Sequence, residues 1–227
     1  MGNFIEVSKD GVKNYTLFSK NAIKQVISLQ SILPMYTFIA DEKCKLKQVY
    51  LDSENNLLSS AGVILSKTTE KNKAYFKVEM EQLKGKASSL LKRSEKVYIH
   101  NVGIKDSAKD HSFFLANGIK AMFSTQFTID LDNVLKMIVP KIELKTKRSV
   151  YKVFSGNGFK AELIFDEIDV RNFETRRGTA LQTLTVKQTS SIQNSQFEEF
   201  TNKLEKFCKE IIPTDDTKYE IVRRMTK

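Results

Sequence analysis

The chain has 227 residues, 41% of them apolar, and carries 37 Lys and Arg against 27 Asp and Glu for a net charge of +10. Such a length suits one generous domain or two small ones, and this apolar content excludes a wholly disordered chain. No apolar run is long enough to span a bilayer as a helix, residues 1–11 lack a signal-peptide core, and Cys44 and Cys208 form neither a metal motif nor a disulfide framework. The expectation is a reduced, cytoplasmic protein with no membrane partner and with an anion as its partner. A Lys-rich solvated surface is the bland alternative for the charge.

Residues 3–7 and 12–18 read as short strands separated by the turn signal Asp10-Gly11. Ser19 is placed to cap a helix over residues 20–33, where Ala22, Ile23, Val26, Ile27, Leu29 and Ile32 recur at helical spacing and Pro34 stops the run. Strands follow over 35–40 and 45–51. Residues 63–65 and 74–78 form a hairpin around Glu70-Lys71-Asn72-Lys73, and 82–91 is weakly helical or loop-like. A strand over 93–102, a polar loop over 104–110 and helices over 112–123 and 131–139 come next. Residues 141–154 and 159–170 form a second hairpin around Gly156-Asn157-Gly158. A strand over 179–189 and a helix over 197–211 complete the pattern, and the basic stretch after Pro213 reads as a mobile tail. His100 and His111 are read as surface or loop residues.

No linker or low-complexity segment divides the chain. The reading is one domain with a first half (1–102), a helical connection (103–140), a second half (141–212) and a tail (213–227). Its class is α+β: an antiparallel sheet of about eight strands, closed or nearly closed, with helices packed outside.

The stretch from Gln48 to Glu79 carries a resemblance. Tyr50, Asp52, Leu58, Ala61, Gly62 and Leu65 fall at the spacing of the first block of the CYTH, or triphosphate tunnel metalloenzyme, family. In the second half, Arg148 with Tyr151, then Glu162 with Asp166, resemble later elements, and Arg93 with Glu95 resembles the strand after the first hairpin. The resemblance implies a tunnel of eight antiparallel strands. In it, basic side chains hold a triphosphate and glutamates hold Mg²⁺ or Mn²⁺, which neutralises the phosphate and activates water.

The sequence departs from that pattern where the chemistry is concentrated. No E-x-E-x-K lies near the N-terminus, the expected paired arginines fall at Ser66 and Thr68 with Lys67 out of phase, and the expected C-terminal glutamates fall at Thr183 and Thr185. A hydroxyl lacks the charge that compensates dehydration of a hard cation. The expectation is therefore binding of a triphosphate-bearing small molecule or polyphosphate, with metal catalysis weakened or absent. Lys67, Lys77, Arg93, Lys145, Lys147 and Arg148 are the anion contacts of this reading. A rival reading is an active metal-dependent triphosphatase using Glu79, Glu95, Glu162 and Asp166. A third is a nucleic-acid-binding or protein-interaction module with an external basic face. Glu162 and Asp166 stand about 13 Å apart along one strand face, so one ion shared between them requires another strand. The oligomeric state is left open by the sequence.

Overall fold

The computed structural model describes residues 2–8, 11–80, 94–122, 130–189 and 194–227. In chain order the elements are β1 (Gly2–Ser8), β2 (Val12–Leu17), α1 (Lys20–Ile32), β3 (Tyr36–Asp52), α2 (Leu57–Ser60), β4 (Val63–Glu70), β5 (Lys73–Met80), β6 (Ser94–Val102), α3 (Ser112–Met122), α4 (Leu131–Lys136), β7 (Val139–Ser155), β8 (Lys160–Asn172), β9 (Gly178–Gln188), α5 (Asn194–Phe207), β10 (Ile211–Pro213) and α6 (Lys218–Met225). Hydrogen bonding orders the strands β1-β6-β5-β4-β3-β7-β8-β9-β2-β10 in one sheet. The order has two ends among the described residues, so ten strands rather than about eight are present and hydrogen bonds do not close them into a barrel. The α+β class and the antiparallel sheet hold.

Three differences from the sequence reading have local causes. The single 17-residue strand β3, Tyr36–Asp52, replaces the two strands expected over 35–40 and 45–51. The intervening Asp41-Glu42-Lys43 is polar but contains no Gly or Pro, and an exposed stretch of strand tolerates charge. The turn formers after Asp52 fold one short helix, α2. The stretch after Pro213 is no featureless tail: α6 begins at Thr217, whose side chain accepts from the Glu220 N–H while the Glu220 carboxylate accepts from the Thr217 N–H. That reciprocal pair satisfies two otherwise orphaned donors. Ile221 and Val222 of α6 are buried. The weakly helical residues 82–91 and the strand start at Arg93 lie outside the described residues.

The chain packs as two compact units, each drawn from separated segments: residues 1–9, 46–145 and 171–177 in the first, and 10–45, 146–170 and 178–227 in the second. In the first, Val63 and Leu65 of β4, Phe76 and Val78 of β5 and Tyr98 of β6 join Leu58 of α2, Leu115 and Ile119 of α3 and Leu131 and Leu135 of α4 in one apolar cluster. Gly118 of α3 lies against Tyr98 so closely that a Cβ there would come 2.4 Å from the ring. In the second unit, Tyr15 and Leu17 of β2, Leu163 and Phe165 of β8 and Leu184 and Val186 of β9 pack on Val26 and Leu29 of α1 and Phe200 and Leu204 of α5. Each fully buried large apolar side chain contributes about 1.5–3 kcal/mol. Because successive strand residues point to opposite faces, each unit presents a second sheet face turned away from its helical core. The polar side chains on each of these faces are the candidate site residues of that unit.

Candidate functional site

In the first unit, strand pairing sets Tyr50, Ser66, Lys77 and Ile99 in one row across β3, β4, β5 and β6. This row faces away from Leu65, Phe76 and Val78. Gln48 Nε2 donates to Ser66 Oγ at 3.1 Å. Lys77 Nζ donates to Glu79 Oε1 at 2.6 Å, two positions along the same strand face. Ser66 and Thr68, which stand where the resemblance expects arginines, are buried hydroxyl residues.

Lys67 points the other way. It pairs with Phe76 across the hairpin, and its Nζ donates to the Ile104 carbonyl at 2.7 Å and to the Asp106 carbonyl. Burial pushes this ammonium below the ordinary lysine range, against the pull of Asp106 and Asp110. Lys67 thus ties the loop before α3 to the sheet. Lys145 is exposed, with Nζ 3.5 Å from Glu143 Oε1, and Lys47 Nζ lies 2.6 Å from the other oxygen of that carboxylate. The Lys47 hydrogen bond holds Glu143 below the usual carboxylate range. Glu95 is in β6 with its side chain outside the description.

In the second unit, Ala161, Leu163 and Phe165 enter the helical core, so Glu162, Ile164 and Asp166 occupy the opposite face of β8. Asp166 is 2% exposed. It accepts a bidentate pair from Arg148, Nε to Oδ1 at 2.7 Å and Nη2 to Oδ2 at 2.8 Å, and a further hydrogen bond from Lys218 Nζ. Burial acts to raise the Asp166 pKa; the Arg148 hydrogen bonds and the Lys218 and Arg148 charges outweigh it and hold the carboxylate below its ordinary range. Across β2 and β9, Thr16 opposes Thr183 and Asn14 opposes Thr185, again away from the core residues Tyr15 and Leu184. Thr185 Oγ1 donates to Asn14 Oδ1 at 2.8 Å, and the buried Thr183 hydroxyl has no hydrogen-bond partner among the described residues. Exposed Lys147 precedes Arg148 on β7 and points to the opposite face.

The expected anion contacts therefore occupy different places. Lys77 and Arg148 line polar sheet faces, Lys67 and Lys147 project from the reverse faces, Lys145 lies beside Glu143, and Arg93 is outside the described residues. Lys218 joins Asp166 from a helix that apolar periodicity did not signal. The sequence marker for it was Thr-x-x-Glu at residues 217–220, the capping pattern.

The acids expected to hold a metal are already occupied or single. Glu79 holds Lys77, and Asp166 holds two cations. Among the described residues, within either unit, no three His, Cys, Asp or Glu side chains that include Glu79, Glu162 or Asp166 converge on one ion position. Taken by itself, neither unit's set fits a hard divalent cation, which needs several oxygen ligands.

No protein-family model matches the chain, and no curated protein matches it in sequence. Solved structures do. HpAC1 from Hippeastrum, provisionally an adenylyl cyclase and described as revealing a dominant triphosphatase activity, is 14% identical; the match covers 98% of this chain and 97% of that one, with a TM-score of 0.55. A provisional adenylate cyclase from Bacillus halodurans is 15% identical over 96% of this chain and 97% of that one, with a TM-score of 0.50. At such identities the likeness is one of fold. The chain has the CYTH fold that the residues around Ala61 and Gly62 resemble.

Proposed function

We propose that this chain binds a triphosphate-bearing small molecule or a polyphosphate through its basic side chains, with metal catalysis weakened or absent. The observation that carries this reading is the occupation of Asp166. Its carboxylate already accepts from Arg148 and Lys218. To bind a metal it would have to release both, so the acid works as a counter-charge that holds two cations in place. Arg148 suits phosphate because its planar fork donates two parallel hydrogen bonds. Lys77 and Lys218 supply further positive charge, and Thr183 and Thr185 supply hydroxyls. Lys67, Arg93, Lys145 and Lys147 belong to this reading as the remaining expected anion contacts.

A second reading is a metal-dependent triphosphatase built from Glu79, Glu95, Glu162 and Asp166 with Mg²⁺ or Mn²⁺. The described activity of HpAC1, a protein of the same fold, favours it. In that case the metal would supply charge neutralisation and an activated water.

Thermal unfolding with triphosphate, ATP and polyphosphate, each with and without Mg²⁺ or Mn²⁺, separates the two. A ligand that binds only the folded state raises the midpoint by mass action. The expected result is a rise with triphosphate that needs no metal and releases no phosphate. A rise that needs metal, with phosphate release abolished by Glu162→Gln, would establish the enzyme instead. No shift with any of them, together with salt-sensitive binding to many nucleic-acid sequences, would move the function to an external basic face.

A further inference from the structure

His100 and His111 are the only histidines in the chain. His100 lies on β6 and is 4% exposed. Its ring stacks on Phe114, with centroids 5.2 Å apart, and on Tyr98 at 6.4 Å. His100 Nε2 lies 3.0 Å from His111 Nδ1, and His111 Nε2 lies 2.9 Å from Asp106 Oδ2. The loop that carries Asp106 and His111 is further tied by Lys67 to two of its carbonyls and by the Gly103 N–H, which donates to Asp106 Oδ2 at 2.8 Å.

This geometry fixes the protons. The hydrogen bonds from His111 and Gly103 hold Asp106 below the usual carboxylate range, so near neutral pH it is ionised and only accepts. His111 Nε2 must then carry a proton. In a neutral ring, His111 Nδ1 is a lone pair, so His100 Nε2 must donate to it. His100 Nδ1 is left unprotonated, and among the described residues it is a buried nitrogen without a hydrogen-bond partner.

We propose that Asp106, His111 and His100 form a proton-sensitive latch that holds residues 103–111 against β6 while both imidazoles are neutral. One added proton has two routes. It binds His100 Nδ1 directly. Alternatively, His111 Nδ1 takes the proton from His100 Nε2 while His100 Nδ1 gains one from solvent. Both routes end with an N–H at His100 Nδ1, buried with no acceptor among the described residues, which is unfavourable. Releasing the loop hydrates both rings and removes that penalty.

The groups facing the pair are the carboxylates of Asp106 and Asp110 and the phenol of Tyr98, and the Lys67 ammonium is held on the same loop. Burial and the neighbouring His111 push His100 below the ordinary histidine range. The closed loop therefore binds fewer protons than the open one. Its stability is full above the ordinary histidine pKa and falls as pH drops through that value.

The test uses nitrogen-15 NMR of the two imidazoles at pH 7.5, and amide protection factors for residues 103–111 from pH 7.5 to 5.5. Both rings are expected as the Nε2–H tautomer. Protection of the loop is expected to fall about tenfold for each pH unit below about 6.5, while β8 stays unchanged. His100→Phe should keep the stack on Phe114 and lose the pH dependence. An Nδ1–H tautomer at His100 in the neutral protein, or protection that is flat across this range, would overturn the latch.

Discussion

Asp52 in the first unit and Asp166 in the second are 4% and 2% exposed, yet their partners differ in kind. Asp52 accepts from the backbone: the N–H groups of Ser53 and Leu58 reach Oδ1 at 2.7 and 2.8 Å, and that of Ser59 reaches Oδ2 at 3.0 Å. It closes the start of α2 and fixes the path into the Ala61-Gly62 step. Asp166 accepts from side chains, Arg148 and Lys218. A ligand that displaced Asp52 would unwind a helical turn. A ligand that competed for the partners of Asp166 would move only side chains, each still about 30% exposed. Residue type and burial do not separate a structural carboxylate from one beside a binding face; the nature of the donors does.

The sharpest way to break this comparison is to remove each acid. Asp166→Ala leaves two cations facing each other, a change that costs about 3–5 kcal/mol in a fully buried pair. Water still reaches both cations here, so a loss of about 2–3 kcal/mol is expected in urea unfolding. Added triphosphate should restore more stability to this variant than to the unaltered protein, because it supplies the missing negative charge. Equal restoration in both would remove Arg148 and Lys218 from the binding face.

Asp52→Ala should cost about 2 kcal/mol through the lost cap and the unpaired backbone donors. Triphosphate should shift its midpoint by the same amount as in the unaltered protein. A specific rescue of Asp52→Ala by triphosphate would show that Asp52 is no purely structural acid and that the contrast is wrong.

The two aspartates also mark what was legible in the sequence. Turn formers, Gly62 at φ +74°, the hairpin of β4 and β5 and the opposed faces of β8 were readable, because backbone chemistry is local. The face of Lys67 was readable too, as a residue out of phase with Ser66 and Thr68, though its acceptors at Ile104 and Asp106 were not. The partner of Asp166 on α6 is 52 residues away, and nothing in strand periodicity points across that distance. His100 and His111 were read as surface residues because the spacing matched no ligand motif. Their pairing with Asp106 depends on how the loop folds back on β6. Long-range ion pairs and folded-back loops are tertiary facts, and local pattern cannot supply them.

Lys218→Ala probes the same contrast with the smallest expected change in stability, below about 1 kcal/mol, because its ammonium is partly solvated and Arg148 still pairs with the acid. Its effect on triphosphate affinity should be larger, a weakening of about tenfold, or about 1.4 kcal/mol. It should also change the acid limb of the stability curve. Asp166 is held below the ordinary aspartate range, so its contribution is complete above the unfolded value and is lost as pH falls through the folded one. Removing Lys218 takes away one of the charges that depress it. The folded value rises toward the unfolded one, and less stability is lost between about pH 4 and the acid end of the curve. Urea midpoints from pH 5 down to pH 2 therefore fall less steeply in Lys218→Ala than in the unaltered protein. If the two slopes coincide, Lys218 does not act on Asp166 in solution. The second unit's carboxylate would then depend on Arg148 alone, and α6 would have no part in the binding face.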